Sequence, residues 1–233
     1  MRAPVASNLN DTSSFTMASN SSHGAWFHLG DCDVWNNSVW VAMEYNLANC
    51  VGSAQAHAIG RFNTTTLDFQ EAFTLPANSP QRNGSFPWVA RSPIDGLWYS
   101  SQFSADILYA YEIVQGAVSL HHTVGLPVAL SRVQGGAFSE SGRLYLSSDA
   151  KNGGSHGVWI FEVGPMQAVF LGRGTITRTG SFEEIQGLTV WDLDNGQAPN
   201  IEGQVHTLMA NLDYFGDDDL YFKHTRLTPR EAR

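Results

Sequence analysis

Apolar residues fall into short runs along the chain, and polar loops separate these runs. Three runs are alike, and the second and third each follow a turn-forming segment that contains glycine: VWVAMEY at 39–45, LWYSSQF at 97–103 and LYLSSDA at 144–150. One apolar run precedes each of them and two follow. Because short apolar runs bounded by glycine-containing turns indicate β-strands, the pattern predicts repeated units of four strands.

Four such units can be placed along the chain. The first three have four runs each, at 32–35, 39–45, 57–63 and 71–75, then at 88–92, 97–103, 107–113 and 119–124, then at 135–139, 144–150, 157–163 and 167–172. The fourth unit starts with QGLTVWDLDNG at 186–196 and continues at 203–212 and 218–227. Units of four short strands that recur roughly every 40 to 50 residues are typical of β-propeller blades. We therefore predict an all-β chain folded as a β-propeller of four-stranded antiparallel blades, with four blade units recognisable here and about four to six in the complete protein.

Both faces of the run GVWIFEV, 157–163, are apolar. A blade is buried on both faces by its neighbours, whereas a sheet with one wet face alternates apolar with polar residues. A β-sandwich is the alternative fold, but it does not account for a fourfold repeat. The fourth unit lacks an outer strand, which SSFTMA at 13–18 is placed to supply in a closed ring. We assign 1–27 to an N-terminal segment, 28–227 to the blades and 228–233 to a C-terminal tail.

The segment GGAFSESGRLYLSSD followed by GVWIFEV, together with QGLTVWDLDNG, resembles the propeller superfamily that includes the NHL, SMP-30/gluconolactonase and TolB-like families. The resemblance extends over residues 28–227 at the level of architecture. It implies a ring of blades around a central channel, with a ligand or metal site where the channel opens. Relatives of this kind usually have about six blades, whereas four are recognisable here.

The net charge of −9 comes from 13 Lys and Arg residues against 22 Asp and Glu residues. This balance argues against nucleic-acid binding, which needs a basic surface, and against an anionic membrane as partner. No apolar run approaches the roughly 20 residues that span a bilayer. No secretory signal follows the early Arg2, so we expect either that the chain is not exported by that route or that its true start lies upstream.

Propeller ligands bind where the starts of the inner strands converge on the channel. In this chain the converging segments are 28–33, 85–90, 132–136 and 183–187. We predict that they supply the ligand-binding residues Trp88, Arg132, Gln134, Glu183 and Gln186. The candidate metal ligands in the same segments are Asp31 and Glu184.

Calcium prefers about six to eight oxygen ligands, with carboxylates supplying most of the charge. Asp31 and Glu184, joined by the amide oxygens of Gln134 and Gln186, are therefore candidate ligands for a Ca²⁺ ion in the channel. The resemblance implies that such a cation polarises a lactone carbonyl, and His28, which opens an inner strand, is then the candidate catalytic base. In those relatives a glutamate precedes the glycine, whereas glutamine stands here and supplies no charge. The alternative is that these polar groups only line the channel.

Cys32 and Cys50 are equally compatible with a disulfide and with two buried thiols. Five Asn-x-Ser/Thr sequons occur in the first part of the chain, at Asn10, Asn20, Asn36, Asn63 and Asn83. In a eukaryotic secreted protein they would be glycosylation sites on surface loops, and the alternative is a loop composition rich in Asn and Ser. On this basis we predict an extracellular location.

Three functions are compatible with the sequence. The first is a binding module that holds a small polar ligand, a glycan or a protein on the loop face around the channel. The second is a metal-assisted lactonase or esterase, and the third is a structural repeat fragment of a larger secreted protein. No G-x-S-x-G, H-E-x-x-H or phosphate-loop motif supports another class of enzyme.

Overall fold

In a computed structural model of the chain, the described residues are 26–45, 56–82, 84–149, 156–176, 183–192, 203–211 and 219–227. They form four antiparallel sheets, and the strands of each sheet follow one another in chain order. The sheets are arranged as the blades of a β-propeller, so the predicted fold is confirmed and the β-sandwich is not formed. No described segment is a helix long and apolar enough to cross a membrane.

The blades coincide with the predicted units. Blade 1 consists of β1 (Trp26–Trp35), β2 (Ser38–Tyr45), β3 (Ala58–Asn63) and β4 (Phe69–Thr74), and blade 2 of β5 (Ala90–Arg91), β6 (Trp98–Ser101), β7 (Ala105–Val114) and β8 (Ala117–Leu130). Blade 3 consists of β9 (Val133–Phe138), β10 (Arg143–Ser148), β11 (Gly157–Val163) and β12 (Ala168–Gly174). The described strands of blade 4 are β13 (Glu183–Asp192), β14 (Gly203–Asn211) and β15 (Asp219–Leu227). Each predicted run overlaps the strand expected for it.

The first strand of each blade lies nearest the axis. Strand β1 contacts β5, β9 and β13, and β9 also contacts β5 and β13. Apolar side chains fill the spaces between blades, as burial on both faces requires. Representative buried residues are Trp40, Phe73 and Trp98 between blades 1 and 2, Leu108, Leu144 and Phe161 between blades 2 and 3, and Tyr145, Ile185 and Val205 between blades 3 and 4.

Two hairpins are closed by tight turns with left-handed residues. Asn36 and Asn37 join β1 to β2 with φ of 48° and 58°, and Gln115 and Gly116 join β7 to β8 with φ of 52° and 81°. Two consecutive left-handed residues match the twist of the flanking strands, and Asn and Gly adopt this conformation at the lowest cost. The turns therefore set the register of these two strand pairs.

The recurring Ser-Ser pair has a structural reason. In blade 2 the buried Ser100 donates its hydroxyl to the carbonyl of Trp88 at 2.6 Å, and in blade 3 the buried Ser147 donates to the carbonyl of Gly135 at 3.3 Å. Each hydroxyl thus satisfies a carbonyl of the inner segment of its own blade, as buried polar groups require. The recurring Ser-Ser pair therefore links the second strand of the blade to the first by a side-chain hydrogen bond.

Candidate functional site at the entry to the propeller axis

Polar side chains converge on the face where the inner strands begin. We call this the entry face and define it by Arg132, Asp149, Glu184 and Gln186. Arg132 directly precedes β9, Asp149 directly follows β10, and the other two lie near the start of β13. The structure therefore brings together three of the predicted residues and adds Asp149, which the sequence reasoning did not select.

Arg132 holds this cluster together. It lies in the two-residue turn between blades 2 and 3 in the left-handed region, with φ of 56°, and its carbonyl accepts a hydrogen bond from Asp149 N at 2.9 Å. Its Nη2 donates to Glu184 Oε1 at 2.6 Å and its Nε to Asp149 Oδ2 at 3.3 Å. The guanidinium also lies 5.3 Å from the ring centre of Phe103. Because the Arg132 side chain is 33% exposed, this bridge between blades 3 and 4 is open to solvent.

Two glutamines accompany Arg132: Gln186 belongs to the cluster, and Gln134 lies close to Arg132 along the chain. Gln186 Nε2 donates to Glu184 Oε2 at 3.0 Å. Gln134 lies on β9, two positions after Arg132, and its Nε2 is buried with no hydrogen-bond partner among the described residues. A buried donor without an acceptor costs about 1–3 kcal/mol, and a bound acceptor would remove that cost. The cluster thus offers both donors and acceptors to a polar molecule.

Asp149 is fully buried, at 0% exposure, and is paired on two sides. Besides Arg132, its Oδ1 lies 3.7 Å from His156 Nδ1. A buried carboxylate needs such partners, because removing the charge from water is costly. The sequence did carry a signal: Asp149 follows the Ser-Ser pair of its blade, as Gln102 follows that of blade 2. A polar residue recurs at this place in the unit.

Glu183, predicted to bind ligand, points away from the cluster. Consecutive strand residues face opposite sides of a sheet, so Glu183 and Glu184 diverge. Glu183 is 1% exposed and accepts a hydrogen bond from Lys223 Nζ on β15 at 3.2 Å. In this structure Glu183 therefore links β13 to β15 within blade 4 and does not face the entry.

Asp31, a predicted metal ligand, links the blades at the axis. Its Oδ2 accepts hydrogen bonds from Gly136 N at 3.2 Å and Leu188 N at 3.0 Å, in blades 3 and 4. Its own N–H donates to the carbonyl of Pro87, just before blade 2, at 2.9 Å. One residue of blade 1 therefore contacts all three other blades. Burial raises the pKa of Asp31 to about 8, although the backbone hydrogen bonds oppose this shift.

Two glycines leave room for this carboxyl group. A Cβ placed on Gly135 would lie 2.9 Å from Asp31 Oδ2, and one on Gly187 would lie 3.2 Å from Oδ1. The Gln-Gly segments of blades 3 and 4 contain two of the predicted calcium ligands, Gln134 and Gln186. Their glycines permit the close approach of Asp31 to the backbone, which is a structural role.

Trp88, predicted to bind ligand, is completely buried. Its Nε1 donates to Ser101 Oγ at 2.9 Å, and its ring covers Gly136, where an added Cβ would lie 2.3 Å from Trp88 Cε3. A buried indole whose N–H is satisfied is typical of a core residue. In this structure Trp88 packs between blades 2 and 3, and neither ring face is open to a ligand.

His28, the candidate base, forms a pair with Glu44 on the neighbouring strand. His28 Nδ1 lies 2.9 Å from Glu44 Oε2, and Glu44 Oε1 accepts a hydrogen bond from Phe86 N at 2.6 Å. The hydrogen bond with Glu44 raises the pKa of His28 above its ordinary value. Burial opposes the shift of Glu44, but the hydrogen bonds from His28 and Phe86 lower its pKa. Glu44, which the sequence reasoning missed, thus orients the imidazole.

The predicted calcium ligands do not fit a calcium ion in this arrangement. Asp31 Oδ2 already accepts two backbone hydrogen bonds, and Glu184 accepts from Arg132 and Gln186. The Arg132 guanidinium, with Nη2 2.6 Å from Glu184 Oε1, also places a positive charge beside this carboxylate, which disfavours a cation there. Within the described part of the chain, no group of three or more His, Cys, Asp or Glu side chains is placed to hold a metal ion.

The predicted disulfide and glycosylation sites lie partly within and partly outside the described residues. Cys32 on β1 carries a free thiol, so the predicted disulfide with Cys50 is not formed in this structure, and Cys50 itself lies outside the described residues. Asn36 is exposed in the β1–β2 turn, whereas Asn63 Oδ1 accepts hydrogen bonds from two following backbone amides at 2.7 and 3.0 Å. Also outside the described residues are Asn10, Asn20, Asn83 and the segment 13–18.

No protein-family model matches the chain. No curated protein matches it either. Among solved structures, a gluconolactonase from Xanthomonas campestris is 17% identical over 77% of this chain and 53% of its own, with a TM-score of 0.46. An auxiliary nutrient binding protein from Bacteroides ovatus is 11% identical over 83% of this chain and 47% of its own, with a TM-score of 0.47. A chain of a nidogen/laminin complex is 12% identical over 82% of this chain and 64% of its own, with a TM-score of 0.48.

The chain spans about half the length of the first solved structures that it matches, at 55%, 53% and 49% of them. The propeller architecture that the resemblance implied is confirmed by the four sheets of the chain itself. At these identities and TM-scores the likeness carries no argument about activity, and the fold rests on the sheets themselves.

Proposed function

We propose that the chain is a binding propeller that holds a small polyhydroxylated molecule, such as the terminal sugar of a glycan, at the entry face. The observation that supports this proposal is Gln134 Nε2, a buried donor that finds no acceptor in the described part of the chain and lies two positions along the chain from the solvent-accessible Arg132. Buried polar atoms are normally paired, and a bound ligand is one way to pair this one. The extracellular location predicted from the sequons belongs to the same proposal.

Charge favours a neutral ligand over an anionic one. The guanidinium of Arg132 lies between two carboxylates, those of Asp149 and Glu184, so these three groups together are negative. Repulsion by the surplus carboxylate disfavours an acidic ligand. A sugar hydroxyl both donates and accepts hydrogen bonds, and it can therefore pair with the Gln134 amide as well as with the carboxylate oxygens.

The donor set favours binding over the alternative lactonase reaction. That reaction depends on a channel cation, and Asp31 and Glu184 are committed to hydrogen bonds within the protein. The His28–Glu44 pair is also tied to Phe86 rather than to the Arg132 cluster. Recognition by hydrogen bonds at the entry face requires neither a cation nor a base.

Saturation-transfer NMR of the full chain with D-glucose, D-galactose and N-acetyl-D-glucosamine tests the proposal. We expect transfer from at least one sugar, and a binding constant about tenfold weaker in both Gln134→Ala and Arg132→Gln, as the loss of one buried hydrogen bond predicts. Gln70→Ala, an exposed glutamine on β4, is the matched control and should bind as the wild type does.

Two results would contradict the proposal. One is an absence of saturation transfer from all three sugars with the wild-type chain. The other is binding that persists unchanged in both Gln134→Ala and Arg132→Gln, which would place the sugar elsewhere. The melting temperature of each variant is measured first, so that loss of binding is not confused with loss of fold.

A further inference from the structure

The outer strand of blade 2 contains an irregularity at two consecutive histidines. Strand β8 pairs with β7 so that Ala110 is opposite His122, whereas the next residue, Tyr111, is opposite Leu120. His121 is therefore the extra residue of a β-bulge. In a regular strand His121 and His122 would point to opposite faces, but a bulge re-aims side chains and lets neighbours approach each other.

The bulge brings the two imidazoles together. Nδ1 of His121 lies 2.8 Å from Nδ1 of His122, and the ring centres are 5.0 Å apart at an interplanar angle of 75°. At most one proton fits between two ring nitrogens that face each other at this distance. Once that proton is displaced, both Nδ1 atoms are close enough to bind a single ion.

The spacing matches two adjacent ligands of one metal ion. Metal–imidazole bonds are about 2.0 Å long, so two nitrogens at a right angle are about 2.9 Å apart, whereas a tetrahedral angle separates them by about 3.3 Å. Right angles between nitrogen ligands are typical of Cu²⁺ and Ni²⁺, and Cu²⁺ binds nitrogen ligands most tightly among the divalent ions of this series. The 2.8 Å between the two Nδ1 atoms is a hydrogen-bond distance and is also close to the spacing of two nitrogen ligands at a right angle.

The surroundings leave the pair available. His121 is exposed, and His122 is partly buried with its ring 6.2 Å from that of Tyr99. His122 Nε2 has no hydrogen-bond partner among the described residues, so these residues offer the His122 ring nitrogens one hydrogen bond, the contact between the two Nδ1 atoms.

We propose that His121 and His122 form a bidentate site for Cu²⁺, with Ni²⁺ as the second choice, in which both Nδ1 atoms bind the ion and water completes the coordination. The site lies on the outer rim of blade 2 and is separate from the sugar site proposed at the entry face. A second close pair, His206 and His224, has ring centres 4.6 Å apart, but His206 Nε2 already pairs with Gln204 Oε1 at 3.1 Å. It serves as the comparison.

Titration of the full chain with Cu²⁺, followed by calorimetry and by electron paramagnetic resonance, tests the site. We expect one tight equivalent of Cu²⁺ whose spectrum shows coupling to nitrogen. Replacing the exposed ligand in His121→Gln should weaken this binding by about tenfold or more, because one of two chelating ligands is lost. His224→Gln, which removes an exposed histidine from β15 of blade 4, should leave the affinity and the spectrum unchanged.

Unaltered Cu²⁺ affinity in His121→Gln would overturn the proposal, and so would an equal loss in His224→Gln. His121 is the ligand to replace because it is exposed, whereas a change at His122 also disturbs the contact with Tyr99. Equal melting temperatures of the metal-free wild type and His121→Gln show that the difference arises from binding.

Discussion

Replacing Asp31 with asparagine should change how the stability of the chain depends on pH. Burial raises the pKa of Asp31 to about 8, so the folded chain keeps a proton that the unfolded chain has lost between about pH 4 and pH 8. Since the unfolded state binds fewer protons in this window, the free energy of unfolding falls as the pH rises, by about 1.4 kcal/mol per pH unit for one group. The asparagine variant has no such proton and should lack this contribution to the slope.

Asp31→Ala separates the hydrogen bonds from the charge. It leaves the N–H groups of Gly136 and Leu188 without their acceptor, at about 1–3 kcal/mol each, so we expect a loss of about 2–6 kcal/mol near pH 5. Asparagine keeps an acceptor oxygen and should lose less. Asp106→Asn, an exposed carboxylate on β7, controls for the removal of a charge.

Urea unfolding of the three variants and the wild type, at steps from about pH 5 to pH 8, measures these differences. The free energy of unfolding of the wild type should fall relative to that of Asp31→Asn as the pH rises. Parallel curves for these two proteins over the whole range would refute the reasoning, because they would show that Asp31 gains no proton on folding.

Two further predictions concern the axis and the His28 pair. Gly136→Ala should destabilise the chain by about 1–3 kcal/mol in thermal unfolding, because the new Cβ would meet the ring of Trp88 at 2.3 Å. Gly172→Ala is the control and should be nearly neutral, because nothing lies within 4 Å of its added Cβ. Equal destabilisation by the two substitutions would contradict this prediction. In Glu44→Gln the pKa of His28 should fall toward its ordinary value in an NMR titration, and an unchanged titration would speak against the pair. Because the pKa of His28 is raised and that of Glu44 is lowered, the stability from the pair is complete between about pH 4.5 and pH 6.5; it is lost at higher pH as His28 deprotonates and at lower pH as Glu44 is protonated.

The repeat was predictable because it rests on local signals. Runs such as LWYSS and LYLSS recur with the same turn glycine before them, and Gly96 and Gly142 have positive φ values of 76° and 87° in the corresponding turns. Short strands and tight turns depend on neighbours in sequence, so a single chain reveals them. The convergence of Arg132, Glu184 and Gln186 followed from the same repeat, because equivalent strand starts meet at the axis.

The roles of individual polar residues were not predictable from the sequence. Asp31 looked like a metal ligand, but its partner Leu188 is 157 residues away, and no local pattern shows which backbone amides will face a carboxylate. Trp88 looked like a ligand platform, and only packing against Gly136 shows that it is buried. The pairing of His28 with Glu44 depends on the register of β1 and β2, which includes irregular steps that the sequence does not mark.

The bonds of Asp31 also bear on how the protein is made. A ribosome adds about 5–20 residues per second, so the 157 residues that separate Asp31 from Leu188 take about 8–30 s to synthesise. During that time the Asp31 carboxyl group on β1 has been synthesised, but the Leu188 N–H of blade 4 that donates to it has not. We therefore expect the emerging chain to remain open at its centre until blade 4 has left the ribosome tunnel, and chaperones to have their longest access to it in that interval.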